Sequence, residues 1–375
     1  MKKTRNVLIV SKPISPPWQD GTKNLAKNII NYVNNVRFQI LTPKGYKFKK
    51  ANVISEDIYQ TPKDYTPSIP EDLQALFHLI TARKKIDLFH FIFTPNVKSS
   101  IVLKHLTGLK NKPTIQTVTR TPINLKPIKH LLFASKTLVL SDHTYKTLAE
   151  EGFENIVKIN PGVDLEEIEQ SKLKESDFKA RHNLSNNFIV MYPGDYDFSN
   201  TAKGVIETIP PVVSRYPDVR YILTFRSFSE ETRLKETELR QYIIDLGIEK
   251  YVRIFNQVED MYEVLQAADV FLFPVKALFS KVDIPLILLE AMAFSKPIIL
   301  SNASPLDEVI VDDKEFVLDP DDVTSITRRI INLIDSEELC KNRGEISRDI
   351  IEKRFNMQFI ACEYEKLYQE FLYDR

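Results

Sequence analysis

Lys281-Val282-Asp283-Ile284-Pro285-Leu286-Ile287-Leu288-Leu289-Glu290-Ala291-Met292-Ala293-Phe294-Ser295-Lys296-Pro297-Ile298 is the stretch on which the reading of this 375-residue chain turns. Proline suits the first position of a helix, so Pro285 marks a helix start ahead of Leu286–Phe294. Lys296-Pro297 then leads into the apolar run Pro297–Ser301, which reads as a buried strand. Glu290 stands inside an otherwise apolar helix, where a carboxylate needs a partner. A pair of ligand hydroxyls would supply one, since an ionised carboxylate accepts from two donors. Taken alone, the segment reads better with Glu290 capped or facing solvent.

On both sides of this stretch, short apolar runs alternate with helix-length amphipathic segments, the pattern of parallel sheets with crossover helices. In the first half the strands are expected at Asn6–Ser11, Phe38–Thr42, Ile86–Phe93, Thr114–Val118 and Thr137–Ser141. Helices are expected over Thr22–Val33, Glu71–Lys84, Val97–Leu106 and Asp142–Gly152. A second series runs through Phe188–Tyr192, Tyr221–Phe225, Tyr251–Phe255, Val270–Phe273, Pro297–Ser301 and Phe316–Leu318. Between them Pro161-Gly162 breaks regular structure and marks a domain boundary. The fold class is therefore α/β, with two doubly wound parallel-sheet domains, 1–163 and 164–355, facing each other across a cleft. Ligands of such domains bind outside the carboxyl ends of the strands. The last segment, 356–375, is one more helix with Phe359, Tyr364, Leu367, Tyr368 and Phe371. Its apolar face calls for burial, on the first domain or in a dimer.

Two domains also suit the length, because single cores rarely grow beyond roughly 250–300 residues. The hydrophobic and charged fractions, 43% and 27%, are those of a globular protein and exclude disorder and fibres. Two cysteines, Cys340 and Cys362, make neither a disulfide framework nor a zinc site, which suits a reduced, cytosolic protein. No apolar run reaches the roughly 20 residues of a membrane span, and the N-terminus has no apolar signal core. The net charge of zero hides an asymmetry. Residues 1–165 hold 25 Lys plus Arg against 12 Asp plus Glu, a net of +13, leaving −13 for residues 166–375. A basic face steers a protein to anionic lipid or to a phosphate-bearing ligand; a lysine-rich solvated surface explains the charge equally well. The basic residues are dispersed and form no nucleic-acid motif, so nucleic acid is not an expected partner.

Only nine glycines occur in the chain, which makes their positions informative. Gly21 lies between the first strand and first helix. Gly194 ends the first strand of the second domain, and Gly204 follows Lys203 on the next helix. Such turns let backbone N–H groups and a helix N-terminus approach an anion, with Lys203 adding a point charge for phosphate. Neither Gly-x-Gly-x-x-Gly nor a Walker A sequence is present, which argues against a nicotinamide dehydrogenase and a P-loop kinase.

Leu-Leu-Glu-Ala-Met-Ala-x-x-Lys-Pro at 288–297 resembles the signature helix of the family 4 glycosyltransferases, which have the GT-B fold. Pro-Pro-x-x-x-Gly ending at Gly21 resembles the family's N-terminal loop. Ile159–Asp164 is similar to its interdomain Ile-Pro-Asn-Gly-Val-Asp element, with Asn and Pro exchanged. Ala267–Pro274 resembles its Ala-x-Asp-x-x-x-x-Pro strand, and Phe355–Leu372 the helix that crosses back to the first domain. The resemblance implies retaining transfer of a sugar from a nucleoside-diphosphate sugar to an acceptor held by the N-terminal domain, without a metal or other cofactor. It makes Glu290 the ribose-binding carboxylate, Lys203 a diphosphate ligand, Gly21 an amide donor, and the amides near Ile284 further diphosphate contacts.

The departures are specific. Val282 stands where the family has the first glutamate of its Glu-x7-Glu motif, with Asp283 one place away as the expected substitute. The family's arginine after Gly194 is Asp195 here, and Arg226 or Lys281 is expected to replace its charge. His90 matches the opening histidine of Asp-x-x-His-x-His, but the second is Ile92; the Thr-x-His histidine is Thr119. Asp283 and His90 are thus the candidate catalytic residues. Either the sugar specificity is unusual, or activity is weakened, and the second reading is a degenerate GT-B protein that binds a nucleotide sugar or partners an active transferase. The basic first half suggests peripheral attachment to an anionic membrane at its cytosolic face and a lipid-linked acceptor; a polysaccharide acceptor fits too. Two clusters are the expected contacts: Lys44, Lys47, Lys49 and Lys50, and the mixed basic and apolar segment Arg120–Phe133.

Overall fold

The structure is a computed structural model that describes residues 5–373, apart from 19, 61–67, 82–84, 94–96, 109–111, 175, 197–198, 227–228, 257, 277, 279–281 and 313. The chain forms two compact units. One comprises Met1–Asp164, Phe279–Leu286 and Phe355–Arg375; the other comprises Leu165–Leu278 and Ile287–Arg354.

Among the described residues the first unit holds seven strands: β1 (Asn6–Val10), β2 (Arg37–Pro43), β3 (Val53–Tyr59), β4 (Leu88–Ile92), β5 (Thr114–Val118), β6 (Lys136–Val139) and β7 (Ile156–Lys158). They lie in the order β3-β2-β1-β4-β5-β6-β7, and every pair is parallel. β4 and β5 are buried along their whole length, which is why they read as unbroken runs rather than alternating ones. The two strands absent from the sequence reading, β3 and β7, are the two edges. β3 carries Ser55, Glu56 and Asp57 with a half-exposed pattern, and β7 has only three residues. A polar interruption in the one and the shortness of the other blunt these edges against further pairing and leave little periodicity to detect.

The helix Gly21–Tyr32 buries Leu25, Ala26, Ile29 and Ile30 in the same core cluster as Met357, Ile360, Ala361, Tyr364 and Tyr368 of the helix Met357–Tyr373. Of the two expected burials for the closing helix, packing onto the first unit is the one realised. Phe359 is exposed instead, because the inward stripe follows residues 357, 360, 361, 364 and 368. The return of the chain is pinned by Val163 N–H to Phe355 O at 2.8 Å and Met357 N–H to Val163 O at 3.0 Å. Gly162 permits this approach: a Cβ there would sit 2.5 Å from Met357 Sδ and 3.0 Å from Met357 Cα. Asn28 Nδ2 donates to Gly162 O at 2.9 Å, tying the first helix to the same point.

The second unit holds, among the described residues, β8 (Phe188–Pro193), β9 (Val219–Phe225), β10 (Val252–Asn256), β11 (Val270–Phe273), β12 (Ile298–Ser301) and β13 (Val317–Leu318). Their order is β10-β9-β8-β11-β12-β13, again wholly parallel. Asp269, the aspartate of the Ala-x-Asp stretch, fixes how β11 enters the sheet. Its N–H donates to Ile189 O at 2.8 Å, and its carboxylate accepts from Ile189 N–H at 2.7 Å and Lys179 Nζ at 3.3 Å.

The helix Leu286–Ala293 buries Leu288, Leu289, Ala291, Met292 and Ala293. Ser295 ends it with φ +57°. Arg348 Nη1 donates to Ala293 O at 2.8 Å, satisfying one of the carbonyls that a helix end leaves without a partner. Lys296 Nζ donates to Gln266 O at 3.0 Å, and burial pushes its pKa down to about 8. Gly344, on the helix Glu337–Ile350, passes so close that a Cβ would lie 2.1 Å from Ser295 O. Gly344→Ala is therefore expected to lower unfolding stability by about 1–3 kcal/mol, although alanine is the better helix former. Denaturant titration of both proteins measures it; an unchanged or raised stability would show that the two segments separate freely.

Candidate functional site

In each sheet the strand order reverses beside the first strand of the unit, β1 between β2 and β4, and β8 between β9 and β11. The carboxyl ends of those strands are where open α/β sheets bind ligands. The second unit places Gly194 directly after β8. A Cβ on Gly194 would sit 2.3 Å from Phe225 Cε1 and 2.6 Å from Tyr192 Cε1. Phe225 is held there by stacking on Tyr196, with centroids 4.4 Å apart and planes at 21°. This glycine is thus required by packed aromatic rings, a reason its sequence context does not reveal.

Asp195 follows, and its Oδ2 lies 3.3 Å from Nη2 of Arg226, which leaves the end of β9. The structure thus brings the cation Arg226 to the loop after β8, with an acid beside it. Lys203, on the helix Ser199–Glu207, lies with Nζ 5.9 Å from the centroid of Tyr242, whose hydroxyl donates to Glu207 at 3.0 Å. Glu290 and Ile287 are the partly exposed positions of the helix Leu286–Ala293, all its other residues being buried. Glu290 therefore shares its accessible face with one turn of an otherwise sealed helix.

In the first unit, Asp20 caps the helix Gly21–Tyr32, accepting from Thr22 N–H at 3.0 Å and Lys23 N–H at 3.1 Å. Lys12 Nζ is 2.6 Å from the same carboxylate. The anion at this helix terminus is the protein's own aspartate. Gly21 meets Val282, whose methyl carbons would lie 3.5 Å from a Cβ. Val282 belongs to the apolar core of this unit, and Ile284 is buried next to it in sequence.

Asp283 is buried as well. Its Oδ1 accepts from Thr121 N–H at 2.6 Å and Thr121 Oγ1 at 3.0 Å. Its Oδ2 accepts from Ser141 Oγ at 2.7 Å and from Thr144 Oγ1, and its own N–H donates to Thr119 O at 2.9 Å. Four donors fill the roughly four lone-pair positions of a carboxylate. Such a group anchors its loop, and it meets a sugar only by leaving this cage.

His90, in the middle of β4, is fully buried. Nδ1 lies 2.7 Å from Tyr368 Oη and Nε2 lies 2.7 Å from Thr117 Oγ1. A neutral imidazole serves both as one donor and one acceptor, and desolvation lowers its pKa to about 3. His90 thus joins β4 and β5 to the closing helix. Lys281 lies outside the described residues. The structure therefore brings together Gly21, Val282, Asp283 and Ile284 in one unit, and Asp195 with Arg226 in the other. Sequence reasoning missed Thr121, Ser141 and Thr144, because small hydroxyl residues are common at turns and caps. It also missed Asp20, although an Asp just ahead of a helix pattern is a recognisable capping signal.

Residues 174–350, most of the second unit, match the family described as glycosyl transferases group 1. The capsular polysaccharide biosynthesis glycosyltransferase CapM of Staphylococcus aureus is 27% identical over 208 residues, 55% of this chain and 51% of that protein. The N-acetyl-alpha-D-glucosaminyl L-malate synthase of Bacillus anthracis is 31% identical over 135 residues, 36% of this chain and 34% of the relative. The chain thus spans about half or less of the length of these relatives. Solved GT-B structures resemble it almost end to end. Anabaena HepE in complex with UDP-glucose superposes with TM-score 0.76 at 17% identity, covering 97% of this chain and 99% of HepE. Sucrose-phosphate synthase from Thermosynechococcus elongatus gives 0.76 at 16% identity, covering 99% and 100%. The fold is GT-B.

Removing the caged carboxylate leaves several buried donors unsatisfied. Asp283→Ala is expected to cost at least about 3 kcal/mol of unfolding stability, measured by urea titration; a loss of activity at full stability would instead make Asp283 a catalytic group. His90 gives a pH dependence of definite sign. Its native pKa lies below the unfolded value, so its contribution is complete above pH ~6.5 and declines as pH falls toward 3, by about 1.4 kcal/mol per pH unit. Unfolding titrations at pH 7 and pH 5 should show this slope in the wild type and a flatter one in His90→Gln. Equal slopes would remove the assignment.

Proposed function

We propose that the protein is a retaining glycosyltransferase that moves a sugar from a nucleoside-diphosphate sugar to a glycan or lipid-linked acceptor at the cytosolic side, with no bound metal. The observation that carries this reading is the family match over 174–350, which includes Asp195, Lys203, Arg226 and Glu290. In this proposal Glu290 accepts two hydrogen bonds from the ribose hydroxyls. Arg226 and Lys203 stabilise the charge that develops on the departing diphosphate. Preorganised donors of this kind are worth about 3 kcal/mol each in a transition state. A uridine donor is the favoured choice, since HepE binds UDP-glucose; the name of CapM supports a polysaccharide acceptor.

A second reading rests on a separate observation. The two groups nearest the expected sugar position by resemblance, Asp283 and His90, have their hydrogen-bonding capacity filled internally, and Val282 supplies no acid. A protein that holds a nucleotide sugar without turnover follows from the same residues.

Thermal denaturation with uridine and guanosine diphosphates and their sugars tests both. A ligand at 100 times its dissociation constant stabilises by about 2.7 kcal/mol. The expected result is a raised midpoint with one nucleotide class and a smaller rise in Glu290→Gln, together with slow hydrolysis of the matching donor. Stabilisation without hydrolysis or transfer selects the second reading, and no stabilisation by any nucleotide overturns both.

A further inference from the structure

The helix Ile69–Thr81 is apolar on two opposite faces. Inward, Ala75 and Leu79 join a core cluster with Leu8, Phe89 and Phe91, to which Leu103 of the helix Val97–Gly108 also belongs. The two helices therefore cover the same side of the sheet. Outward, Ile69, Leu73, Phe77 and Ile80 are 78%, 61%, 65% and 45% exposed. Their spacing of four, four and three residues aligns them in one stripe, where a solvated helix carries polar residues. Ile101 and Val102 of the second helix are 44% and 45% exposed. An exposed apolar stripe of this kind marks an interaction site.

The charge around the stripe identifies the partner. From Leu73 to Lys112 the chain carries seven Lys and Arg and a single acid, Asp87. That acid is matched by Arg5 at 3.3 Å. Glu71 turns inward, accepting from the N–H groups of Gln60 and Ser68 at 2.8 Å each, so Asp72 is the one exposed acid of the helix Ile69–Thr81. A second copy of this chain would bring like charge against like. An apolar stripe in so basic a stretch of sequence is instead complementary to a surface with anionic headgroups over hydrocarbon.

We propose that the outward face of the helices Ile69–Thr81 and Val97–Gly108 docks on an anionic phospholipid bilayer, with Leu73 and Phe77 entering the headgroup boundary. This relocates the contact expected at Arg120–Phe133, where Ile128, Leu131 and Leu132 are consumed by a core cluster. The proposal does not depend on sugar transfer, and nucleotide-induced stabilisation reads the donor site separately.

The test is co-sedimentation of the full chain with vesicles of phosphatidylcholine, with and without phosphatidylserine. Binding is expected only with phosphatidylserine, and added salt should weaken it. Leu73→Ser with Phe77→Ser should weaken it roughly tenfold or more while leaving the melting temperature and the nucleotide response unchanged, because both side chains are exposed. Absence of binding to the anionic vesicles overturns the proposal. So does equal binding by the double variant, or a lipid-free dimer that the double variant abolishes.

Discussion

A carboxylate taken out of water keeps its charge only where donors replace the lost hydration. Asp283 meets that condition with Thr121, Ser141 and Thr144, and much of the arrangement around the signature helix follows from it. The loop before that helix is drawn into the first unit, and Val282 is set into an apolar core against Gly21. Ser141 does two tasks at once, donating to Asp283 while accepting from Thr144 N–H as a helix cap. A residue that sequence comparison offers as a stand-in for a glutamate thus works as an anchor, because its neighbours saturate it.

The same reasoning applies to other residues of the resemblance. The aspartate at 269 holds the edge of β11 to β8, the lysine at 296 binds a backbone carbonyl, and Gly194 makes room for two aromatic rings. These positions maintain the scaffold on which Glu290 and Arg226 are displayed. The motif is therefore two things in one string of letters, a packing code and a small set of groups that reach the surface.

The fold was legible because burial on both faces of a central parallel strand produces continuous apolar runs, as in Leu88–Ile92 and Val270–Phe273. The edges β3 and β7 were not, because Ser55, Glu56 and Asp57 interrupt the apolar run of the one and the other has only three residues. The closing helix was legible as a helix, but its apolar stripe runs through Met357, Ile360 and Ala361 rather than Phe359. At the site, residue types were visible and their partners were not. His90 looks like a ligand-facing histidine until Tyr368, 278 residues away, closes on its ring.

Local patterning, then, determined the alternation of strands and helices, the division of the chain near Pro161-Gly162, and the helix that carries Glu290, since periodicity and breakers act over a few residues. Tertiary structure alone decided which polar groups remain available. Thr121, Ser141 and Thr144 reach Asp283 from more than 130 residues away, and Arg226 reaches Asp195 across a strand pair. Hydrogen bonds saturate within about 3 Å, a distance that sequence separation does not encode, so the chemical state of each candidate residue was settled by the packing of distant segments.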